Sequence, residues 1–131
     1  MKVLALDYGS ARTGVAVSDA TATLARPLTV VERAATPAGL ARLAELVAAE
    51  GVDRVVVGLP LTLRGEAGAQ AQETARFVEA LQDVVDVPVE SFDERFTTTL
   101  AARQPTARAE EDARAAAHLL ESYLAWASAR R

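Results

Sequence analysis

The chain opens with runs of consecutive apolar residues separated by short polar stretches. These runs predict strands over residues 3–7, 13–18 and 27–32. Residues 9–12 have the length of a hairpin turn, in which we expect Gly9 to adopt an unusual backbone angle. The first quarter of the chain therefore predicts three strands that can form a meander.

The rest of the chain predicts helices that alternate with single strands. Thr36 and Pro37 have the form of an N-cap and a first-turn proline, and the apolar stripe that follows ends at Gly51. The later elements are a strand over 52–57, a helix over 69–82, a strand over 88–92, a short helix after 97–99 and a long helix over 109–127. This alternation predicts an α/β domain with a mixed five-stranded sheet and helices on both of its faces.

Composition limits the chemistry that is available. The 131 residues predict a single domain over 1–131, and the absence of cysteine excludes disulfides, thiolate zinc sites and cysteine nucleophiles. His118 is the single histidine, which excludes a histidine-rich metal site. The N-terminal apolar run is too short for a signal peptide or a membrane span, so we expect a cytoplasmic protein with no membrane partner. The catalytic groups that remain are carboxylates.

Acidic residues stand where three predicted elements begin or end. Asp7 ends the first strand, and Asp93 and Glu94 follow the last one. Asp112 lies in the first turn of the long helix, beside an apolar stripe formed by Ala113, Ala116, Ala117, Leu120, Leu124 and Ala127. Ligands gather at the carboxyl ends of strands in open α/β sheets, and oxygen donors suit Mg²⁺ or Mn²⁺. The pattern therefore predicts a metal site that could cleave phosphodiesters, although the net charge of −4 argues against a strongly basic surface.

Each of these acids also has a simpler explanation. Asp7 precedes Tyr-Gly and suits a turn, while Asp93 and Glu94 suit a solvated surface before a helix. Asp112 follows two glutamates in a helical first turn, where acids interact favourably with the macrodipole. Residue pattern alone leaves both interpretations open.

Four ordered segments over residues 6–124 resemble the YqgF family, also called the RuvX family. They are LDYG (6–9) with RTGVAVSD (12–19), VGLPL (57–61) with GEAG (65–68), DERFTT (93–98), and Asp112 with AA (115–116), LL (119–120) and YL (123–124). The family is related in fold to RuvC Holliday-junction resolvases and to ribonuclease H. The resemblance therefore implies a ribonuclease H-like fold and a metal-dependent, phosphodiester-cleaving nuclease.

The resemblance also implies a ligand set for Mg²⁺ or Mn²⁺. Asp7 and Asp112 are two of its metal ligands, and an acid of the Asp93–Glu94 pair is the third. We favour Glu94 because its longer side chain can reach inward past the strand end, and Asp93 stays open as the alternative.

Three arginines are the phosphate-contact candidates that follow from the resemblance. Arg12, Arg64 and Arg95 stand at the matching motif positions, and a planar guanidinium suits bidentate contact with phosphate. The implied role is maturation of the 5′ end of 16S rRNA from its precursor, which makes RNA the favoured partner. Resolution of branched DNA is the alternative, and a homodimer would supply its two symmetric nicks.

Two departures and two rival functions qualify this prediction. Many relatives carry basic residues before the helix aspartate and asparagine at the position of Thr62, whereas residues 109–111 here are Ala-Glu-Glu.

The Asp7-x-Gly9 pattern with Gly14 also resembles the phosphate hairpin of actin-like ATPases and sugar kinases, which close two such domains over a nucleotide. A non-catalytic RNA-binding assembly factor is the other rival, and we would expect it to have lost the acids. Trp126 is a candidate for an interface or a stacking contact.

Overall fold

A computed structural model describes residues 1–59, 68–93 and 109–129. Its elements are β1 (Val3–Asp7), β2 (Arg12–Ser18), β3 (Ala25–Glu32), α1 (Pro37–Glu50), β4 (Arg54–Leu59), α2 (Ala69–Gln82), β5 (Val89–Asp93) and α3 (Ala109–Ala129). These elements have the predicted types and the predicted order. The short helix expected after residues 97–99 falls outside the described residues.

The strands form one mixed sheet in the order β3-β2-β1-β4-β5. The first three strands are antiparallel neighbours, as their short connections allow, whereas β1, β4 and β5 run parallel. The strand β1 lies at the centre, and its residues 3–6 are fully buried. The predicted five-stranded mixed sheet is confirmed.

Helices cover both faces of the sheet. Along β1, Val3 and Ala5 pack in the cluster that contains α3, while Leu4 and Leu6 pack in the cluster that contains α1 and α2. This division follows from the alternation of side chains along a strand. The inner face of α3 is wider than the predicted stripe, because Leu119 is also buried there.

The ends of α1 match the predicted caps. Thr36 Oγ1 accepts a hydrogen bond of 3.2 Å from the Gly39 backbone N–H, and Pro37 is the first residue of the helix. Gly51 ends the helix with a φ of 63°, a left-handed conformation that favours glycine.

The predicted conformation of Gly9 is wrong. Gly9 does not have a positive φ, and a Cβ at this position would lie 2.5 Å from the carbonyl oxygen of Arg12. Glycine is needed here because the turn folds back closely on itself. Thr13, which is fully buried, shares hydrogen bonds of 3.4 Å with both the N–H and the carbonyl of Gly9.

The start of β4 was predicted two residues too early. Val52 is buried, but its N–H bonds to the carbonyl of Val47 and so completes the end of α1. The strand begins at Arg54 instead. No helix in the described part of the chain is long and apolar enough to cross a membrane.

Candidate metal-binding site

The end of β1 and the first turn of α3 meet at Gly14. Asp7 is the cross-strand partner of Gly14, and directly opposite residues of antiparallel strands point to the same face. Two residues earlier, the paired Ala5 and Ala16 both pack under α3, which identifies that face. Asp7 therefore points to the side of the sheet that α3 covers.

Gly14 allows the helix backbone to lie directly on the sheet. A Cβ at this position would clash with the carbonyl oxygen of Asp112, and it would lie 2.5 Å from the carbonyl carbon of the same residue. Any residue other than glycine would push the first turn of α3 away from β2. The structure thus brings together two of the predicted metal ligands, Asp7 and Asp112, at one edge of the sheet.

Arg12, a predicted phosphate contact, also lies in this site. Its Nε is 2.9 Å from Oδ2 of Asp112, an oxygen that is buried from solvent. The Asp112 side chain is 18% exposed and the Arg12 side chain 38%, so the ion pair lies at the boundary between the core and the solvent. A predicted ligand and a predicted substrate contact are therefore in direct contact with each other.

The residue after Asp7 is anchored to α2. The hydroxyl of Tyr8 donates a 2.7 Å hydrogen bond to Glu73, and its ring stacks on Phe77 at a centroid distance of 4.5 Å. Burial, together with the bond to Glu73, raises the pKa of Tyr8 to about 12. This anchor fixes the chain at the point where β1 presents Asp7.

A second tyrosine fixes α3 at the other end of the strands, where β4 and β5 begin. The Tyr123 hydroxyl donates a 2.6 Å hydrogen bond to Glu90 and accepts one of 3.0 Å from Arg54. The pKa of Tyr123 is raised, mainly because its hydroxyl is buried and also because it donates a hydrogen bond to Glu90. Because α3 is held at both ends, the position of Asp112 is set by the whole helix.

Several predicted residues fall outside the described part of the chain. These are Arg64, Glu94 and Arg95, together with the side chain of Asp93, whose backbone pairs with Leu59 at the end of β5. Their roles stay predictions.

Two residues of α3 were given no certain role from the sequence. Trp126 is 36% exposed, and its ring packs 5.6 Å from Phe92 and 5.9 Å from Tyr123. His118 contacts Glu121 at 3.0 Å on the same helix. Both residues therefore have a structural explanation.

The donor chemistry of this edge fits a divalent metal. Asp7 and Asp112 offer carboxylate oxygens, the ligands that Mg²⁺ and Mn²⁺ prefer. The side chains that the structure describes contain no group of three His, Cys, Asp or Glu that could hold a metal. The predicted third ligand comes from residues 93–94, whose side chains lie outside that part.

Sequence reasoning missed three residues that position this site. Gly14 interrupts an apolar strand, and such a glycine often marks a close approach of another backbone, so this signal was available. The partners of Tyr8 and Tyr123 lie 65 and 33 residues away from them in the chain, and no local pattern identifies them.

Known families and proteins that match this chain confirm its resemblance to the RuvX family. A family model described as "RuvX: Holliday junction resolvase" matches residues 1–126. A protein of Chloroflexus aurantiacus is 43% identical over 130 residues, which cover 93% of this chain and 85% of that protein. A protein of Rubrobacter xylanophilus is 45% identical over 130 residues, with coverages of 94% and 91%. Both carry the name "Putative pre-16S rRNA nuclease".

Two solved structures have the same fold as this chain. Thermus thermophilus RuvC in complex with a Holliday junction substrate gives a TM-score of 0.62 at 18% identity and covers 98% of this chain and 95% of its own. Another structure of the same RuvC gives a TM-score of 0.59 at 20% identity, with coverages of 98% and 97%. At these identities the likeness concerns the fold alone, and it confirms the predicted ribonuclease H-like architecture.

Proposed function

Because this chain belongs to the RuvX family, we propose that it is a divalent-metal-dependent nuclease that matures the 5′ end of 16S rRNA. The observation that carries the proposal is the convergence of Asp7 and Asp112 across Gly14. The curated relatives named for pre-16S rRNA nuclease activity support the choice of substrate. Ribosomal precursors are cytoplasmic in bacteria, and we place the protein there with them.

Asp7 and Asp112 would hold the metal in this mechanism. The chemistry that divalent ions supply in such a site is activation of a water molecule and stabilisation of the leaving oxygen. The protein contributes rigid positioning, because Tyr8 fixes the chain next to Asp7 and the Gly14 contact fixes Asp112. Arg12 would orient the scissile phosphate, and we assign the same role to Arg64 and Arg95 from their motif positions.

We assign the third ligand to Glu94. Its motif position follows directly on β5, and its side chain is longer than that of Asp93. Asp93 is the competing assignment. The variants Asp93→Asn and Glu94→Gln separate the two, since loss of the true ligand should abolish metal-dependent cleavage and loss of the other should not.

The decisive test is cleavage of an RNA that spans the 5′ junction of precursor 16S rRNA, with Mg²⁺ or Mn²⁺ supplied. We expect Asp7→Asn and Asp112→Asn to abolish cleavage while their circular dichroism spectra stay those of the wild type. Asp86→Asn is the matched control, because Asp86 is exposed and precedes β5 at the opposite edge of the sheet. Full activity in Asp7→Asn, or cleavage that survives EDTA, would refute the metal mechanism.

Junction resolution is the second candidate, and the family description together with the RuvC-like fold favours it. A synthetic four-way DNA junction, assayed beside the precursor RNA, chooses between the two substrates. Resolution also requires two symmetric nicks, which a homodimer provides. Cleavage of the junction by a dimer, without cleavage of the RNA, would overturn the RNA assignment.

A further inference from the structure

The ion pair between Arg12 and Asp112 has a consequence for the order of binding. We propose that the Arg12 guanidinium competes with a metal for Asp112 and turns to a substrate phosphate when the metal binds. Metal affinity and nucleic-acid affinity would then be coupled through this one side chain. The inference rests on the proposed function, since it takes Asp112 as a metal ligand and a phosphodiester as the substrate.

The first step of the argument concerns charge. Asp7 and Asp112 lie at the same partly buried end of the sheet, where nearby carboxylates repel each other. Arg12 places a positive charge beside them, with its Nε 2.9 Å from Asp112 Oδ2. Guanidinium groups carry a positive charge in proteins, so only a movement of the side chain can take this charge away from the site.

The second step concerns space. The Arg12 Nε lies 2.9 Å from Asp112 Oδ2, so the guanidinium occupies space beside that oxygen which a bound metal would need. Metal binding through this oxygen therefore requires the guanidinium to move. The backbone of Arg12 is held by its pairing with Glu32 in β3, so the movement is confined to the side chain.

The third step concerns where the side chain goes. The Arg12 side chain is 38% exposed, whereas that of Asp112 is 18% exposed, so Arg12 has an open side toward solvent and Asp112 has little. A substrate phosphate held near Asp112 would be within reach of this side chain, and guanidinium groups bind phosphate oxygens in bidentate fashion. One arginine would thus balance the charge of Asp112 before the metal binds and contact the substrate afterwards.

A permanent clip between β2 and α3 is the competing explanation of the same contact. If the ion pair persists with metal bound, Arg12 positions Asp112, and its loss should weaken metal binding. If Arg12 competes with the metal, its loss should tighten metal binding. The two explanations predict opposite signs.

Calorimetric titration with Mn²⁺ and Mg²⁺ measures that sign on Arg12→Gln, Arg12→Lys and the wild type. At about 5 Å and an effective dielectric near 20, one positive charge lowers the affinity for a divalent cation by roughly 10⁴-fold or more, and solvent screening of the partly exposed Arg12 reduces this effect to about tenfold. We expect Arg12→Gln to bind metal about tenfold more tightly and Arg12→Lys to stay near the wild type. Arg42→Gln is the matched control, because it removes the same charge from an exposed position on α1.

The coupling is measured with a cleavage-resistant 2′-O-methyl RNA oligonucleotide, by fluorescence anisotropy in metal and in EDTA. Arg12→Gln should lower the affinity several-fold in metal and barely change it in EDTA. Unchanged or weaker metal binding by folded Arg12→Gln overturns the inference, and weaker binding supports the clip explanation. If the wild type binds no metal and cleaves nothing, the proposed function fails as well, whereas a wild type that does both leaves that function intact.

Discussion

Replacement of Gly14 by alanine tests how closely α3 must approach the sheet. The added Cβ would lie 2.5 Å from the Asp112 carbonyl carbon, whereas non-bonded carbon atoms settle at roughly 3.5 Å. The first turn of α3 must therefore retreat by about 1 Å. The three nearest atoms all belong to the backbone, so the clash cannot be relieved by turning a flexible side chain.

The retreat should have two measurable effects. Overpacking of a well-packed site costs about 1–3 kcal/mol of unfolding free energy, which urea denaturation measures. A displacement of about 1 Å at a catalytic ligand can lower the rate by about 10²-fold, so cleavage and metal affinity should fall far more than stability explains.

Gly51→Ala is the matched control for this variant. Gly51 has a φ of 63° and no atom within 4 Å of its Cβ position, so alanine there should cost about 1 kcal/mol through backbone strain alone. We expect its metal affinity and cleavage rate to equal those of the wild type. Equal loss of stability in the two variants, with full activity in Gly14→Ala, would refute the positioning role of the close approach.

Two further predictions concern the tyrosines that anchor the site. Because the folded pKa of Tyr8 is raised from 10.0 to about 12, its contribution to stability is complete below pH 10 and is lost as the pH rises through 12. The unfolding free energy should therefore fall over this window more steeply in the wild type than in Tyr8→Phe, and equal slopes would contradict the bond to Glu73. Tyr123→Phe should lose about 1–2 kcal/mol, because Glu90 and Arg54 both lose a hydrogen-bond partner, with denaturant unfolding as the measurement. A Tyr123→Phe variant as stable as the wild type would show that solvent replaces both bonds.

Much of the fold could be predicted because its elements are encoded locally. The helix α2 has the predicted bounds, and the caps of α1 are read from Thr36 and Gly51. The start of β4 was missed because apolar character reports burial rather than strand pairing, and Val52 is buried at the end of a helix. The conformation of Gly9 was missed for a related reason, since a glycine serves a close contact as well as a left-handed turn.

The site was less predictable than the fold. The sequence identifies Asp7 and Asp112 as candidates, but their meeting depends on strand register and on the absence of a side chain at Gly14. The contact between Arg12 and Asp112 joins residues about a hundred positions apart, and no periodicity encodes it. Such contacts follow from tertiary packing, and so they appear only in the structure.

The position of α3 over β1 and β2 has a consequence for synthesis of the chain. The ribosome makes all five strands before α3, so a nascent sheet exposes an apolar face at Val3, Ala5 and Val56 until that helix emerges. The same nascent chain contains Asp7 without Asp112. If the proposed function holds, the nuclease would thus bring its two proposed metal ligands together only late in its own translation.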